Sequence, residues 1–452
     1  MIRTILSGLR RRIFEPLYYA TKGGSVFLDY WKKLEDTQFF SETFLLSLQW
    51  ARFVAMLEYA YQSNQFYQSR FNNHGINPAD IKIPENVSRL PILTKQEIRQ
   101  AGKDMISRGF EPGRLLRFKT GGSTGKPLEI YITEECSELR IACARRHDRW
   151  TGWEVGQPIG AVWGNPVLPV DLKSRLRNCF LTPTIYLDTM KVNEKSVREF
   201  ARRWEAVKPT LLFGHAHSIF VLADFVRTLN IDSIRPKNII SSSMMLLPNE
   251  RKKIEQVFGV KVFDRYGCEE VSLIASECER HEGMHLNIEH LFIEFVNENG
   301  EYVKPGEPGK IIVTDLMNRA MPLIRYQLED VGVPSDQKCS CGRGLPMMEK
   351  VIGRVADFLI KKDGSRVAGV SLIENTLTRI PGIEQMQIIQ EALDWVTLNI
   401  VPGKCFSQQE ELRAYFEKLF EYQASVEIRL VEEIKPEESG KYRFSVCKVK
   451  SV

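Results

Sequence analysis

The chain lacks a long apolar run, an internal repeat and any low-complexity segment. A membrane-spanning helix needs about 18 to 20 successive apolar residues, and no stretch supplies them. The start of the sequence also lacks the apolar core and small-residue cleavage site of a secretory signal. These absences predict a cytoplasmic protein.

The sequence also lacks the marks of a disulfide scaffold or a nucleic-acid binder. Its nine cysteines are odd in number and irregularly spaced, so reduced thiols or metal ligands are expected. The net charge is only +5 over 452 residues, and no arginine-rich run has interleaved aromatic residues. We therefore predict no nucleic-acid partner.

Length and pattern indicate a globular protein of at least two domains. With 452 residues, the chain exceeds the usual size of a single core. Between residues 139 and 276, helical stretches alternate with short apolar runs, which predicts a layered α/β domain. The pattern changes after Gly353, where about a hundred residues suit a small α+β domain. The predicted boundaries are 1–352, with a helical segment over about 1–100, and 353–452.

The loop at residues 119–127 carries the strongest local signal. Its sequence, Lys-Thr-Gly-Gly-Ser-Thr-Gly-Lys-Pro, combines glycines with hydroxyls and two lysines, as expected of a loop that holds phosphates. It is not a Walker loop, because only three residues separate Gly121 from Gly125 and Pro127 follows Lys126. The alternative is a polar surface turn without function.

The N-terminal segment combines apolar and basic residues at helical spacing. Apolar residues at positions 2, 5, 6, 9 and 13 fall near one side, and arginines stand at positions 3, 10, 11 and 12. Such a helix could lie on an anionic membrane surface, which would make the protein membrane-associated. The alternative is a helix that packs on its own protein.

Four further motifs follow the loop in a fixed order. They are Asp-Arg-Tyr-Gly-Cys-Glu-Glu at 264–270, Ile-Arg-Tyr-Gln-Leu-Glu-Asp at 324–330, Gly-Arg-Val-Ala-Asp at 353–357 and Ser-Gly-Lys-Tyr-Arg at 439–443. Together with the loop, they resemble the sequential motifs of the adenylate-forming (ANL) superfamily. Within it, the chain is most similar to the phenylacetate-CoA ligase group, in the branch associated with capsular-polysaccharide biosynthesis. The resemblance extends over nearly the whole chain.

The resemblance implies a role for each motif in binding ATP and Mg2+. Glu270 would hold magnesium, Lys441 would contact the carboxylate and the α-phosphate, and Asp330 would accept hydrogen bonds from the ribose hydroxyls. A carboxylate suits magnesium, which prefers oxygen ligands. The remaining nucleotide-binding residues implied are Thr120, Gly121, Gly122, Ser123, Thr124, Gly125, Lys126, Tyr266, Gly267 and Arg354.

A second group of residues has the composition of a zinc site. Cys339 and Cys341 form a tight pair, and Cys278 stands about sixty residues earlier. Three thiolates and one imidazole suit tetrahedral Zn2+ in a closed, structural site. Relatives of the phenylacetate-CoA ligase group carry a similar pattern with a histidine that corresponds to His285, while His281 competes as the fourth ligand. The alternative is free cysteines in a hairpin.

Two histidines lie where the resemblance places the acyl pocket. His215 and His217 would contact the substrate, with Trp163 and Gly164 as weaker candidates for the same wall. Histidines of the core or at a helix cap are an equal alternative. Cys268, inside the magnesium motif, has no evident base partner, and we interpret it as a packing residue.

These residues favour an ATP-dependent, AMP-forming ligase that acts on a small carboxylic acid. The acyl-adenylate would pass its acyl group to a thiol, with coenzyme A as the acceptor that the resemblance suggests. An amine on a sugar or amino acid is the alternative acceptor. A different alternative is a nucleotide-binding protein of a polysaccharide assembly machinery without catalytic activity.

Overall fold

The structure is a computed structural model. It describes residues 2–120, 128–164, 171–297, 299–352, 355–356, 358–403, 406–434 and 443–449. Its α-helices are, in chain order, Ile2–Leu9 (α1), Glu15–Ala20 (α2), Phe27–Thr37 (α3), Glu42–Ser63 (α4), Gln65–Asn73 (α5), Lys95–Ala101 (α6), Glu134–Trp150 (α7), Leu172–Phe180 (α8), Glu194–Val207 (α9), Ala216–Thr228 (α10), Pro248–Phe258 (α11), Gly369–Arg379 (α12) and Gln409–Leu419 (α13).

The strands pair into one large sheet, a smaller sheet and two hairpins. They are Leu116–Thr120 (β1), Leu128–Ile132 (β2), Ile159–Trp163 (β3), Thr184–Asp188 (β4), Leu211–His215 (β5), Asn238–Ser242 (β6), Val262–Cys268 (β7), Ser272–Glu277 (β8), Met284–Leu286 (β9), Leu291–Val296 (β10), Gly309–Asp315 (β11), Tyr326–Ser335 (β12), Met347–Ile352 (β13), Val355–Ala356 (β14), Phe358–Ile360 (β15), Arg366–Ala368 (β16), Ile383–Ala392 (β17), Trp395–Pro402 (β18), Ser425–Leu430 (β19) and Arg443–Cys447 (β20).

The large sheet changes character at β7. Its order is β10-β11-β12-β13-β9-β8-β7-β6-β5-β3-β4. The pairs from β4 to β7 are parallel, as alternation with helices requires, whereas the pairs from β7 to β10 are antiparallel. β7 therefore belongs to both halves, and the motif that it carries lies where they join.

The C-terminal part has its own sheet, with the order β14-β20-β17-β18-β19. Helices α12 and α13 pack on it, and Leu372, Phe416 and Met386 are buried there. Contacts join this part to the large one, since the amide nitrogen of Asn375 lies 3.5 Å from Met190 Sδ. The predicted fold class, a large layered α/β part followed by a small α+β part, is confirmed. The exact boundary after residue 352 stays a prediction.

Local sequence signals explain several helix ends. Apolar residues recur at helical spacing from about 41 to 71, but the helix is split at Asn64, whose extended backbone ends α4 and whose side chain accepts a hydrogen bond from the Tyr67 amide to begin α5. Thr94 and Glu97 form a capping box at the start of α6. These helices cover the antiparallel half of the sheet, where the larger core lies.

The N-terminal segment folds as α1, a π-helical turn at Arg10–Phe14 and α2. Its inner side packs on the protein, because Arg10 Nε donates to the Cys179 carbonyl at 3.0 Å and the rings of Phe14 and Phe180 lie 5.1 Å apart. Several apolar side chains on its other side are exposed. Among the described helices, none combines the length and apolar character needed to cross a bilayer.

Candidate active site

The motif at residues 264–270 begins in β7 and ends just before β8. The register of these two strands shifts between Tyr266 and Gly267. A Cβ atom on Gly267 would lie 2.6 Å from the Ser272 carbonyl oxygen, so only glycine fits this close approach. The shift places Tyr266 and Glu270 beside the ends of the parallel strands, where open α/β sheets bind their ligands.

The structure brings Tyr266 and Asp330 together, although they are far apart in the sequence. The Tyr266 hydroxyl donates to Asp330 Oδ2 at 3.0 Å. Both side chains were predicted from separate motifs to contact the adenosine of the nucleotide. A phenol ring beside a carboxylate can provide a surface for a base and an acceptor for hydroxyl groups.

Glu270 is fixed through both its side chain and its backbone. Its side chain is buried, and Oε1 accepts a hydrogen bond of 2.9 Å from the Tyr326 hydroxyl. Its carbonyl oxygen accepts a hydrogen bond of 2.8 Å from Arg140, whose same nitrogen donates to Asp315 at 2.7 Å. The carboxylate therefore has a defined position, as a metal ligand requires.

Arg140, Asp315 and Tyr326 are supporting residues that the sequence did not reveal. Burial disfavours the charged guanidinium, but the Asp315 carboxylate outweighs it and raises the pKa of Arg140. Arg140 lies on α7 and Asp315 ends β11, so no spacing rule connects them to Glu270. Tyr326 lies inside the motif at 324–330, but the sequence does not show that its hydroxyl contacts Glu270.

Cys268 has the environment of a packing residue. Burial, followed by the charge of Glu270, raises the pKa of its thiol well above the usual value. A thiol in this state is a poor nucleophile. The geometry agrees with the interpretation of Cys268 as a packing residue.

The two candidate substrate histidines have different surroundings. His215 ends β5, is buried, and lies with its ring centroid 4.0 Å from that of Trp163 at the end of the neighbouring strand β3. Burial lowers the pKa of His215 to about 4, and its Nε2 atom has no hydrogen-bond partner among the described residues. His217 lies on α10, where its Nδ1 atom contacts the Glu250 carboxylate. His215 and Trp163 thus share one location, while His217 is directed toward α11.

The four predicted metal ligands converge on one point. The ligand atoms of Cys278, His285, Cys339 and Cys341 all lie within 4.8 Å of one another. The sulfur atoms of Cys278 and Cys339 are 3.5 Å apart, and Cys341 Sγ lies 3.4 Å from His285 Nε2. Tetrahedral zinc with bonds of about 2.0 to 2.3 Å would separate its ligands by roughly 3.5 to 3.8 Å. The donor set and its spacing therefore fit zinc.

The surroundings of the cluster also suit a cation. The backbone amides of Arg280 and Arg343 donate to the sulfur atoms of Cys278 and Cys341 at 3.5 and 3.4 Å, which favours thiolates. The Nδ1 atom of His285 lies 3.2 Å from the Leu345 carbonyl oxygen, and this contact orients Nε2 toward the sulfurs.

His281, the competing fourth ligand, lies outside the cluster. Its Nδ1 atom is 3.0 Å from a carboxylate oxygen of Glu277, and its ring contacts Phe263 at 4.6 Å. Its backbone has a positive φ of 54°. The geometry thus selects His285 as the fourth member of the group.

Several predicted site residues lie outside the described part of the chain. They are Gly121, Gly122, Ser123, Thr124, Gly125, Lys126, Arg354 and Lys441. Thr120 is the last residue of β1, where its backbone pairs with Leu128 of β2. The proposed phosphate-binding loop therefore connects the two strands of this hairpin.

Comparison with known proteins gives relatives for both parts of the chain. Residues 359–448 match the CapK C-terminal domain family. Protein CapK of Staphylococcus aureus is 22% identical over 417 residues, 90% of either chain. The phenylacetate-coenzyme A ligase of Thermus thermophilus is 24% identical over 352 residues, which cover 75% of this chain and 76% of the ligase. That of Escherichia coli is 25% identical over 341 residues, 73% of this chain and 75% of the ligase.

Solved structures show the same architecture. 2-Hydroxyisobutyryl-CoA ligase in complex with 2-HIB-AMP and CoA, in the thioesterification state, aligns with a TM-score of 0.63 and 18% identity over 89% of either chain. An open conformation of this ligase gives a TM-score of 0.57 over 88% of this chain and 90% of the ligase, again at 18% identity. This likeness shows the fold. The relatives agree with the resemblance predicted from the ordered motifs: the chain is similar to the phenylacetate-coenzyme A ligases and to protein CapK, and its C-terminal part matches the CapK C-terminal domain.

Proposed function

We propose that the protein is an AMP-forming ligase that activates a carboxylic acid with ATP. The observation that carries this proposal is the convergence of Tyr266, Asp330 and Glu270 at the junction of the two sheet halves. These residues come from two separate motifs, and an adenosine group and a magnesium ion are the ligands that their chemistry suits.

In the first step, a carboxylate oxygen of the acid attacks the α-phosphorus of ATP. The bond from that phosphorus to the bridging oxygen breaks, and pyrophosphate leaves with the electron pair. Asp330 and Tyr266 bind the adenosine, and Glu270 is the carboxylate that would hold Mg2+, which neutralises phosphate charge. Lys441, the residues of the loop at 120–126 and Arg354 complete the site as the resemblance implies.

The acid binds beside the ends of β3 and β5. Trp163 provides an apolar wall, and His215 is a neutral imidazole at neutral pH because its pKa is near 4. A neutral imidazole can donate or accept one hydrogen bond without repelling a group of either charge. His217 is less suited to this role, since its ring contacts Glu250.

In the second step, a thiol or an amine attacks the acyl carbon and AMP leaves. The small domain, residues 353–452, rotates between the two steps, as mobile domains that complete a site do. Coenzyme A is the first candidate acceptor, because relatives named as coenzyme A ligases align with about three quarters of the chain. An amine remains the second candidate, because an acyl-adenylate can be attacked by an amine as well as by a thiol. A cytoplasmic location and a role in polysaccharide or secondary metabolism stay predictions.

We also propose that Cys278, His285, Cys339 and Cys341 bind a structural zinc ion. Four protein ligands fill a tetrahedral shell, so a closed site of this kind offers no position to a substrate. The ion would fasten the loop after β12 to the end of β8 and to β9.

Pyrophosphate release across a panel of carboxylic acids, with and without coenzyme A, tests the ligase. We expect release with at least one acid, and at least about a tenfold rise in KM for ATP in Asp330→Ala, since the ribose loses its acceptor. Asp232→Ala, which removes a highly exposed carboxylate, is the matched control.

Nucleotide binding, measured in parallel, separates catalysis from simple binding. If ATP binds but no acid supports release, the protein is a nucleotide-binding component without catalytic activity, and the ligase proposal is wrong. If release occurs but Asp330→Ala behaves as Asp232→Ala, the assignment of the adenosine site is wrong.

A further inference from the structure

Two neighbouring helical segments present apolar side chains to solvent. The first is Ile2–Ala20, which comprises α1, the π-helical turn and α2, and the second is α8. We call their shared outer surface the two-helix face. Its exposed apolar residues are Ile5, Leu6, Leu9, Ile13, Leu17, Leu172, Leu176 and Phe180.

The spacing of these residues forms a stripe on each segment. Ile5, Leu9, Ile13 and Leu17 recur every fourth residue. In an α-helix this spacing drifts slowly around the axis, and the wider π-helical turn at Arg10–Phe14 opposes that drift. Leu172, Leu176 and Phe180 have the same spacing on α8. Each segment therefore has one apolar side.

The two segments are in contact, so their exposed apolar residues lie on adjoining parts of the surface. Arg10 donates to the Cys179 carbonyl at 3.0 Å, and the Phe14 and Phe180 rings lie 5.1 Å apart. No residue of α8 is buried, although the structure describes the whole helix, and Leu172 is 74% exposed. An amphipathic helix whose apolar side is not used by its own core indicates an external partner.

The charge on the two segments is mostly positive, although the exposed Asp171 caps the start of α8 and Arg11 pairs with Glu154. The first segment carries four arginines and one glutamate, and that glutamate, Glu15, is buried. Helix α8 carries one lysine and two arginines without an acidic residue. Arg12, Lys173 and Arg177 are exposed. Exposed apolar side chains bordered by cationic groups match the interface of a bilayer that contains anionic lipids.

We infer that the two-helix face binds the surface of an anionic lipid bilayer. The apolar stripes enter the boundary between headgroups and acyl chains, and the basic residues contact the lipid phosphates. A second copy of the chain suits this face less well, since it would bring two sets of arginines together. This inference concerns binding alone and does not depend on the proposed ligase activity.

Co-sedimentation of the full-length protein with vesicles, without ATP, tests this inference. We expect the protein to pellet with vesicles of phosphatidylcholine and phosphatidylglycerol, and at least tenfold less with phosphatidylcholine alone. High salt should weaken the binding, because it screens the phosphate contacts. Leu172→Ser combined with Leu176→Ser should reduce binding at least tenfold without unfolding the protein, since neither side chain is buried. Leu393→Ser combined with Leu430→Ser, exposed leucines of the C-terminal part, is the matched control and should bind as wild type.

Three results would overturn the inference. They are no pelleting with the anionic vesicles, equal pelleting of the stripe variant and the control, and equal pelleting with both kinds of vesicle. Analytical ultracentrifugation of the same variants can give a fourth result that would overturn it. If wild type self-associates without lipid and the stripe variant does not, the face is a contact between copies of the chain. The double variant Arg12→Glu with Lys173→Glu changes the charge of the two-helix face and keeps its apolar side chains. It should reduce binding to the anionic vesicles and leave binding to phosphatidylcholine vesicles unchanged.

Discussion

Two groups of functional residues lie at opposite ends of the same two chain segments, 270–278 and 326–339. At one end, Tyr326 donates to Glu270 at 2.9 Å. At the other, the sulfur atoms of Cys278 and Cys339 lie 3.5 Å apart. The first contact is a hydrogen bond between protein groups, whereas the second brings together two sulfur atoms that the proposed zinc ion would bind as thiolates. In our zinc proposal, one end is organised by the chain itself and the other by an ion.

The largest effect is expected at the carboxylate end. We predict that Glu270→Gln lowers the rate of pyrophosphate release at least about 100-fold, because magnesium loses its charged ligand while phosphate charge must still be neutralised. The amide oxygen of glutamine can still accept the hydrogen bond from Tyr326, so melting should change little. Steady-state kinetics and thermal melting of the same sample provide both measurements.

The adjacent residue offers the control for this prediction. Glu269 is exposed, and Glu269→Gln removes the same charge one residue away. We expect less than about a threefold change in rate for this variant, as for most surface substitutions. Equal losses in both variants would show that the general charge of the loop matters and that Glu270 has no special role.

Loss of the cysteine cluster should lower the stability of the protein more than it lowers the activity. We predict one zinc ion per chain. Cys339→Ser, or removal of the metal by a chelator, should lower the free energy of unfolding by about 3 to 5 kcal/mol, since the remaining thiolates lose their counter-charge. Cys179→Ser, which alters an exposed cysteine outside the cluster, is the matched control. Elemental analysis and urea unfolding measure the two quantities.

Metal removal also tests whether the two ends are coupled. Because segments 270–278 and 326–339 each run from one group to the other, loss of the cluster should raise KM for ATP more than it lowers kcat. A chelated protein without zinc that melts and turns over as before would contradict the structural zinc. Trp150 can report the change, since its ring lies 5.5 Å from that of His285.

The sequence predicts Glu270 at one end and all the members of the cysteine cluster at the other, but it misses Tyr326. Cysteine and histidine are metal-binding residue types, so their identity and spacing were enough to predict the cluster. The fold then brings the four ligand atoms together. The choice between His281 and His285 depended on the local fold, in which His281 has a backbone with positive φ and a ring that contacts Glu277. No spacing rule contains that information.

Supporting residues were harder to predict than ligands. Arg140 contacts Glu270 and Asp315 across separations of 130 and 175 residues. An arginine on an amphipathic helix ordinarily faces solvent, and only the packing of α7 reveals that Arg140 is buried. The alternation of helices and parallel strands followed from the apolar pattern, whereas the division at Asn64 did not, because one capping side chain divides a continuous helical pattern there.

The buried His215 lies in the parallel half of the large sheet, away from both the Glu270 group and the cysteine cluster. It tests the pH dependence of stability separately from them. The folded protein holds the pKa of His215 at about 4, against 6.5 for an ordinary histidine. As the pH falls from 6.5 toward 4, the unfolded chain binds a proton that the folded chain does not, so stability is lost. At about pH 4.5 the loss should be roughly 2 to 3 kcal/mol relative to pH 7, and His215→Gln should lack this contribution.

Urea unfolding at the two pH values measures this difference. His74→Gln, a substitution of an exposed histidine, is the control and should retain the wild-type pH dependence. If His215→Gln loses as much stability on acidification as wild type, the imidazole is accessible to protons and its proposed neutral role beside the acid is wrong.

The smallest effect is expected from the hydrogen bond between Tyr266 and Asp330. Tyr266→Phe keeps the ring and removes one bond of 3.0 Å, so KM for ATP should rise by about 3- to 10-fold, with kcat nearly unchanged. Tyr61→Phe removes a bond of the same length to Asn72, on the surface, and should leave both constants unchanged.

If the adenosine end is independent of the ion, the Tyr266→Phe effect will be the same with and without chelator. If the ion fastens the segment that carries Asp330, chelation and the substitution will each weaken ATP binding, and together they will add less than their separate effects, because both loosen the same carboxylate.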